Sequence, residues 1–148
     1  MNTLIKPAAT VILMREANNG FEIFMAKRSN KSPFGSVYVF PGGKVDKADF
    51  DKDLYEFCVG LDDKTASEKL GLKSHGLAYW IACIRECFEE AGILLTNQND
   101  SLIHDDVQLN SYRKKLNAGE ITFKEICSTE RLSLRASSIV PCAHWITP

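Results

Sequence analysis

One stretch limits the fold more than any other. Leu77, Trp80, Ile81, Ile84, Phe88 and Ala91 recur at the three- and four-residue spacing of a single helical stripe, and Gly92 follows where a left-handed cap belongs. This predicts a helix of about four turns with its apolar stripe against a core. Glu86, Glu89 and Glu90 ride on the same helix. At about 100° per residue they share about one hundred degrees of its surface, nearly opposite the stripe. Like charges at this spacing repel by about 0.2–0.5 kcal/mol per pair in an isolated helix. A divalent cation with oxygen ligands would relieve that repulsion. Glutamate-rich helix faces are most often plain solvated surface, so the triad alone does not define a site.

Around this helix the chain reads as α+β. Residues 8 to 15 and 21 to 27 are β-prone with Asn18-Asn19-Gly20 between them, which predicts a β-hairpin. A short strand at Val37 to Phe40 is expected to stop at a glycine turn, Pro41-Gly42-Gly43. Residues 46 to 75, rich in Asp and Lys, read as an inserted surface excursion outside the core, with two short helices near Asp51 to Val59 and Lys64 to Leu70. Two weaker helical patterns follow, Val107 to Leu116 and Thr122 to Ser128, before a strand-like run from Ser138 to Ile146. No repeat or low-complexity tract interrupts the order.

The 148 residues suit a single domain, 1–148, and a hydrophobic share of 45% against 25% charged is that of an ordinary globular chain. A net charge of -1 supplies no basic field for nucleic acid or an anionic membrane. Five cysteines without zinc-finger spacing read as reduced thiols, and Cys83 and Cys87 as core positions rather than metal thiolates. The apolar run Ala8 to Met14 is too short for a signal peptide or a membrane span, and the chain does not close on a peroxisomal tripeptide. A cytoplasmic or organelle-matrix location is therefore expected. Oligomeric state leaves no trace in the sequence.

The run Arg85-Glu86-Cys87-Phe88-Glu89-Glu90-Ala91-Gly92-Ile93 resembles the second half of the Nudix box, R-E-U-x-E-E-x-G-U with U apolar. Its five fixed letters would meet by chance in about one chain of this length in ten thousand, which moves the triad from surface toward site. The box's first half, a glycine then a glutamate six residues on, is partly present. Gly43 matches the glycine, the glutamate is absent, and Asp49 is the acid nearby. Arg85 lies 42 residues after Gly43, much further than in the family's usual pattern. Gly71 stands at the usual distance, but Leu77 would then fill the glutamate's place, so that register is rejected. What holds Arg85 is left open.

A long insertion between glycine and helix resembles the branch that includes the peroxisomal coenzyme A diphosphatase-like proteins. So do Lys27-Arg28-Ser29, the run Val39 to Asp46 with Ala48-Asp49, and Trp145-Ile146-Thr147-Pro148. The resemblance implies a mixed sheet sandwiched by helices and hydrolysis of a diphosphate linkage in a nucleotide derivative, coenzyme A or acyl-CoA among them. It implies Mg²⁺ or Mn²⁺ on Glu86, Glu89 and Glu90, with the Gly42 carbonyl as a further ligand. Arg85 joins those glutamates in the catalytic set, and which carboxylate acts as base stays open. Arg28, Lys27 and Lys44 flank the turn and read equally as phosphate contacts or as solvated surface. His144 reads as a packing residue. Members of the family continue past the Trp-Ile-Thr-Pro stretch, so an incomplete domain is expected, open behind Ile139, Val140 and Trp145. A non-catalytic binding module of the same fold is the competing reading. A di-iron carboxylate protein would need a Glu-x-x-His pair, which the chain lacks.

Overall fold

The computed structural model describes residues 6–27, 37–96 and 107–145. Six short strands run in chain order: β1 (Ala8–Thr10), β2 (Met14–Ala17), β3 (Gly20–Ile23), β4 (Ala26–Lys27), β5 (Tyr38–Val39) and β6 (Gly42–Lys44). A 3₁₀ turn, Lys47–Phe50, leads to α1 (Lys52–Tyr55), α2 (Asp63–Leu70) and α3 (Leu77–Ala91). Helices α4 (Val107–Asn117) and α5 (Phe123–Thr129) and a second 3₁₀ turn, Ala136–Ser138, complete the described elements. The class is α+β, as early strands followed by later helices predict.

Helix α3 is the axis of the packing, and it matches the helix expected from the apolar stripe. It is buried over more of its circumference than one stripe requires. Ile81, Ile84 and Phe88 enter the largest apolar cluster, Ala78, Ala82, Cys83 and Cys87 a second, and Leu77 and Trp80 a third. Each large side chain buried this completely contributes about 1.5–3 kcal/mol relative to exposure. Its first turn has no capping side chain of its own. Asp63 of α2 substitutes, accepting from the backbone N–H groups of His75 and Leu77 at 3.0 Å each. At the other end Gly92 takes φ 71°, a left-handed geometry costly for any residue with a Cβ, and its N–H reaches the Phe88 carbonyl at 2.9 Å.

The strands depart from the expected layout in an instructive way. The hairpin around Asn18-Asn19 forms between β2 and β3, but residues 8 to 15 divide, and β1 pairs antiparallel with β6 instead (Ala9↔Gly43, Thr10↔Gly42). The predicted glycine turn is thus a strand. Its glycines admit neighbours that no side chain would allow: a Cβ on Gly42 would meet the Ala9 carbonyl oxygen and Thr10 Cα at 2.6 Å. Among the described residues the strands form three two-stranded antiparallel sheets, and Leu134 bridges singly to Cys58 and Thr96.

Residues 46 to 75 do not form an excursion outside the core. Leu54 and Ala66 are buried in apolar clusters, Asp49 is 1% exposed, and the Phe57–Val59 backbone exchanges hydrogen bonds with Leu134 at 2.7 and 2.9 Å. The acids that make this segment look solvated serve its backbone: Asp51 accepts from the Asp53 N–H and Asp62 from that of Thr65, each starting a helix. The expected strand from Ser138 is also absent among the described residues. Ile139 packs against all three clusters and accepts from Trp80 Nε1 at 3.0 Å, while residues 139–145 join no ladder and Val140 and Trp145 lie 77% and 74% exposed. Among the described residues, no helix is long and apolar enough to cross a membrane.

Candidate active site

Arg85 sits on the face of α3 that meets β6 and the 3₁₀ turn, with only 7% of its side chain exposed. Its guanidinium has five N–H groups, and each has a partner. Nε donates to Asp49 Oδ1 and Nη2 to Asp49 Oδ2, both at 2.9 Å, a bidentate fork. Nη2 also donates to the Lys44 carbonyl at 2.9 Å, and Nη1 to Glu86 at 2.9 Å and Glu89 at 3.2 Å. Burial works against the Arg85 charge, yet hydrogen bonding and attraction from Asp49, then the fields of Glu89 and Glu86, raise its pKa above the ordinary value. Asp49 accepts a third bond, from the Asp46 N–H at 2.8 Å, which compensates a buried carboxylate. Asp49 follows Gly43 by six residues, so it fills the position where the box pattern has glutamate.

The structure brings two of the three glutamates, Glu86 and Glu90, against the two glycines, while Glu89 lies on Arg85. Glu90, exposed at the helix end, accepts from the Gly42 N–H at 3.0 Å. Glu86 lies so close to Gly43 that a Cβ there would meet its carboxylate at 2.6 Å. Desolvation raises the Glu86 pKa, Arg85 opposes it, and the charges of Glu89 and Glu90 raise it further. Asp46, Asp49, Glu86 and Glu89 thus surround one arginine with surplus negative charge.

Among the described residues, no three His, Cys, Asp or Glu side chains converge on one point that could hold a metal. Glu86 and Glu89 turn onto Arg85 instead, and Glu90 onto the Gly42 backbone. The donor chemistry nevertheless fits a hard divalent ion, since every donor is oxygen and the charge surplus calls for a cation.

Other expected residues divide. Lys44 contributes its carbonyl to Arg85, and no contact to an anion is assigned to its side chain. Arg28 lies outside the described residues. His144 is exposed and not packed. Cys83 and Cys87 are buried thiols whose pKa desolvation pushes up to about 12, the opposite of a metal thiolate. Arg113 of α4 went unmarked in the sequence, where it is one basic residue among several in a weak helical pattern. It donates to the Glu89 carbonyl at 2.8 Å and the Glu90 carbonyl at 2.6 Å, with Asn117 adding a bond to Glu89 at 3.3 Å. These donors cover the orphan carbonyls of the helix end that carries the carboxylates.

A family model described as NUDIX domain matches residues 4–123. Acyl-coenzyme A diphosphatase NUDT19 of Xenopus laevis is 28% identical over 97% of the chain, and the protein of the same name from Gallus gallus 26% over 86%. The chain spans 46% and 43% of these relatives, about half their length. A NUDIX hydrolase from Alicyclobacillus acidocaldarius superposes with a TM-score of 0.65 over 92% of the chain and 59% of its own, at 22% identity, a likeness of fold.

Proposed function

The chain belongs to the NUDIX domain family, and from that premise we propose that it hydrolyses a diphosphate linkage in a nucleotide derivative, with coenzyme A or an acyl-CoA as the substrate class and Mg²⁺ or Mn²⁺ as cofactor. The observation that carries this reading is the pair of carboxylates set against the glycine strand, Glu90 on Gly42 and Glu86 on Gly43, with Glu89 beside them on Arg85. The names of the relatives support the substrate class. We read residues 1–148 as one domain in which 46–75 is an insertion packed into the core. Five unpaired cysteines support a reducing cytoplasmic or organelle-matrix setting.

In this reading Glu86, Glu89 and Glu90 hold the cation, with the Gly42 carbonyl as a further candidate ligand. A bound divalent ion supplies neutralisation of the diphosphate oxygens and a more acidic water. The bond formed joins a water oxygen to phosphorus, the bond broken is phosphorus to the bridging oxygen, and the water's proton passes to a carboxylate. Arg85 does not touch substrate, because its five N–H groups are occupied. It is a positioning residue: anchored by Asp49, it fixes Glu86 and Glu89 at the surface of α3. The close approach of Glu86 to Gly43 keeps the carboxylate against the strand.

The alternative, a non-catalytic binding module, draws on the same Arg85 contacts, which leave Glu86 and Glu89 paired. Incubation with acyl-CoA, CoA, NADH and ADP-ribose, with and without Mn²⁺ or Mg²⁺, separates the two. Metal-dependent release of 3′-phospho-AMP from acyl-CoA is the expected result. Binding without any cleavage, in every metal tried, would establish the module.

A further inference from the structure

Beside Arg85 lies a cavity of about 340 Å³. Part of its wall is the site just described: Asp46, Asp49, Arg85 and Glu89. The rest is largely apolar, from Leu54 of α1 and from Leu116, Ile121 and Phe123 where α4 turns into α5, with Ala48 and Lys124 also lining it. We infer that this cavity receives the uncharged arm of the substrate, an acyl-pantetheine chain, while the diphosphate occupies the carboxylate face. The inference rests on the hydrolase reading and adds to it the place where the substrate class is selected.

Continuity is the first argument. Glu89 belongs to both the carboxylate face and the cavity wall, so a ligand bound at one runs directly into the other. Charge is the second. Both cations in the wall are already committed: Arg85 has no free N–H, and Lys124 Nζ is held by Asp51 at 2.8 Å and Asp53 at 2.6 Å. The remaining charges, Asp46, Asp49, Asp51 and Glu89, are acids. A phosphate would meet four carboxylates here, with both cations already paired to acids. An uncharged chain would find apolar walls for its acyl end and exposed carboxylates to accept from its amide N–H groups. Size is the third argument: at the low end of roughly 300–1,000 Å³ for small-molecule sites, the cavity suits one arm of a ligand rather than a whole nucleotide. A further cavity of about 380 Å³, by Cys58, Gly60 and Thr65, is lined by none of Glu86, Glu89 and Glu90.

Ala48 provides the test, because it lines the cavity yet is exposed, so a larger side chain there fills space without displacing the core. S-hexanoyl-pantetheine, which carries neither phosphate nor nucleotide, is titrated calorimetrically into the metal-free chain and into Ala48→Trp, with circular dichroism as a check on folding. A half-buried second position, Ile121→Phe, gives the same test from the opposite wall. The expected result is binding to the parent chain and roughly tenfold weaker binding to either variant. With Mn²⁺, KM for hexanoyl-CoA should rise in the variants while that for ADP-ribose stays put. No binding of the probe, or variants that bind it as the parent does, overturns the assignment even if diphosphates are cleaved. Probe binding that the variants lose, in a chain that cleaves no diphosphate, keeps the cavity and removes the hydrolase reading.

Discussion

Among the described residues, Arg15 and Arg85 both meet carboxylates at hydrogen-bonding distance, with very different consequences. Arg15 of β2 reaches Glu22 of β3 at 2.6 Å, across a hairpin whose side chains face solvent: 81% of the arginine side chain and 55% of the glutamate side chain are exposed. Arg85 meets Asp49 at 2.9 Å, with 7% and 1% exposed. The shorter contact is the weaker one. In water the Arg15 pair is screened and must order two long side chains, so it contributes little. In the core neither Arg85 nor Asp49 could be left alone, and the fork between them is shared with Lys44, Glu86, Glu89 and Asp46. Burial and the number of partners, and not distance, decide what an ion pair does here.

The largest effect should come from removing the anchor. Asp49→Ala leaves the Arg85 charge buried without its main partner, which costs about 3–5 kcal/mol and also frees Glu86 and Glu89 from their fixed support. Chemical denaturation is expected to show that loss, with catalysis falling in parallel. A denaturation midpoint shift worth less than about 1 kcal/mol would mean that solvent reaches the pair. Glu90→Gln sharpens the contrast from within the same site. Glu90 is exposed and its contact to the Gly42 N–H can survive in the amide, so stability should change by less than about 0.5 kcal/mol. Turnover should fall by about a hundredfold or more, close to 2.7 kcal/mol of barrier. Hydrolysis within about threefold of the parent would exclude Glu90 as a ligand.

The sequence could be read wherever the signal is local. Helix α3, its Gly92 cap and both later helices follow from spacing that one helical turn decides. What escaped depends on contacts across tens of residues. The β1–β6 pairing joins Ala9 to Gly43, and only the missing side chains at 42 and 43 hint that something passes close by. Asp49 stands at the glutamate's position, but whether a side chain one methylene shorter still reaches Arg85 depends on how the 3₁₀ turn lies against α3. The acids of 46–75 suggest solvent by composition, whereas Asp49, Asp62 and Asp63 satisfy buried or helix-end donors. Arg113 has no local mark at all, since its acceptors are backbone carbonyls 24 and 23 residues away.

Arg113 lies between Arg15 and Arg85 in its burial. It is partly buried, and its partners are carbonyls at the negative end of the α3 dipole rather than an acid. Arg113→Ala should cost about 1 kcal/mol in stability. Catalysis should drop further than that stability loss explains, because the last turn of α3 would fray and take Glu89 and Glu90 with it. Lysine can restore one of the two bonds, so Arg113→Lys should recover part of both quantities. Hydrogen exchange at the amides of Phe88 to Gly92 provides the check. Unchanged protection there in Arg113→Ala would show that Gly92 closes the helix without help.

The smallest effect is expected at the hairpin. Arg15 and Glu22 are direct cross-strand partners in the β2–β3 register, a placement that favours opposite charges. Their exposure limits what the placement can yield, and neighbouring Met14, Phe21 and Ile23 are more than half exposed themselves, so no apolar layer shields the pair. A double-mutant cycle of Arg15→Ala, Glu22→Ala and both together isolates the coupling from the intrinsic strand preferences of the replaced residues. The coupling should lie below about 0.5 kcal/mol and vanish in about 1 M salt, where the screening length falls to about 3 Å. The same cycle on Arg85 and Asp49 should return a coupling several times larger and nearly indifferent to salt. A salt-insensitive coupling above about 1.5 kcal/mol at the hairpin would mean that Arg15 and Glu22 are covered in solution, and the contrast between the two arginines would then have to rest on partner number alone.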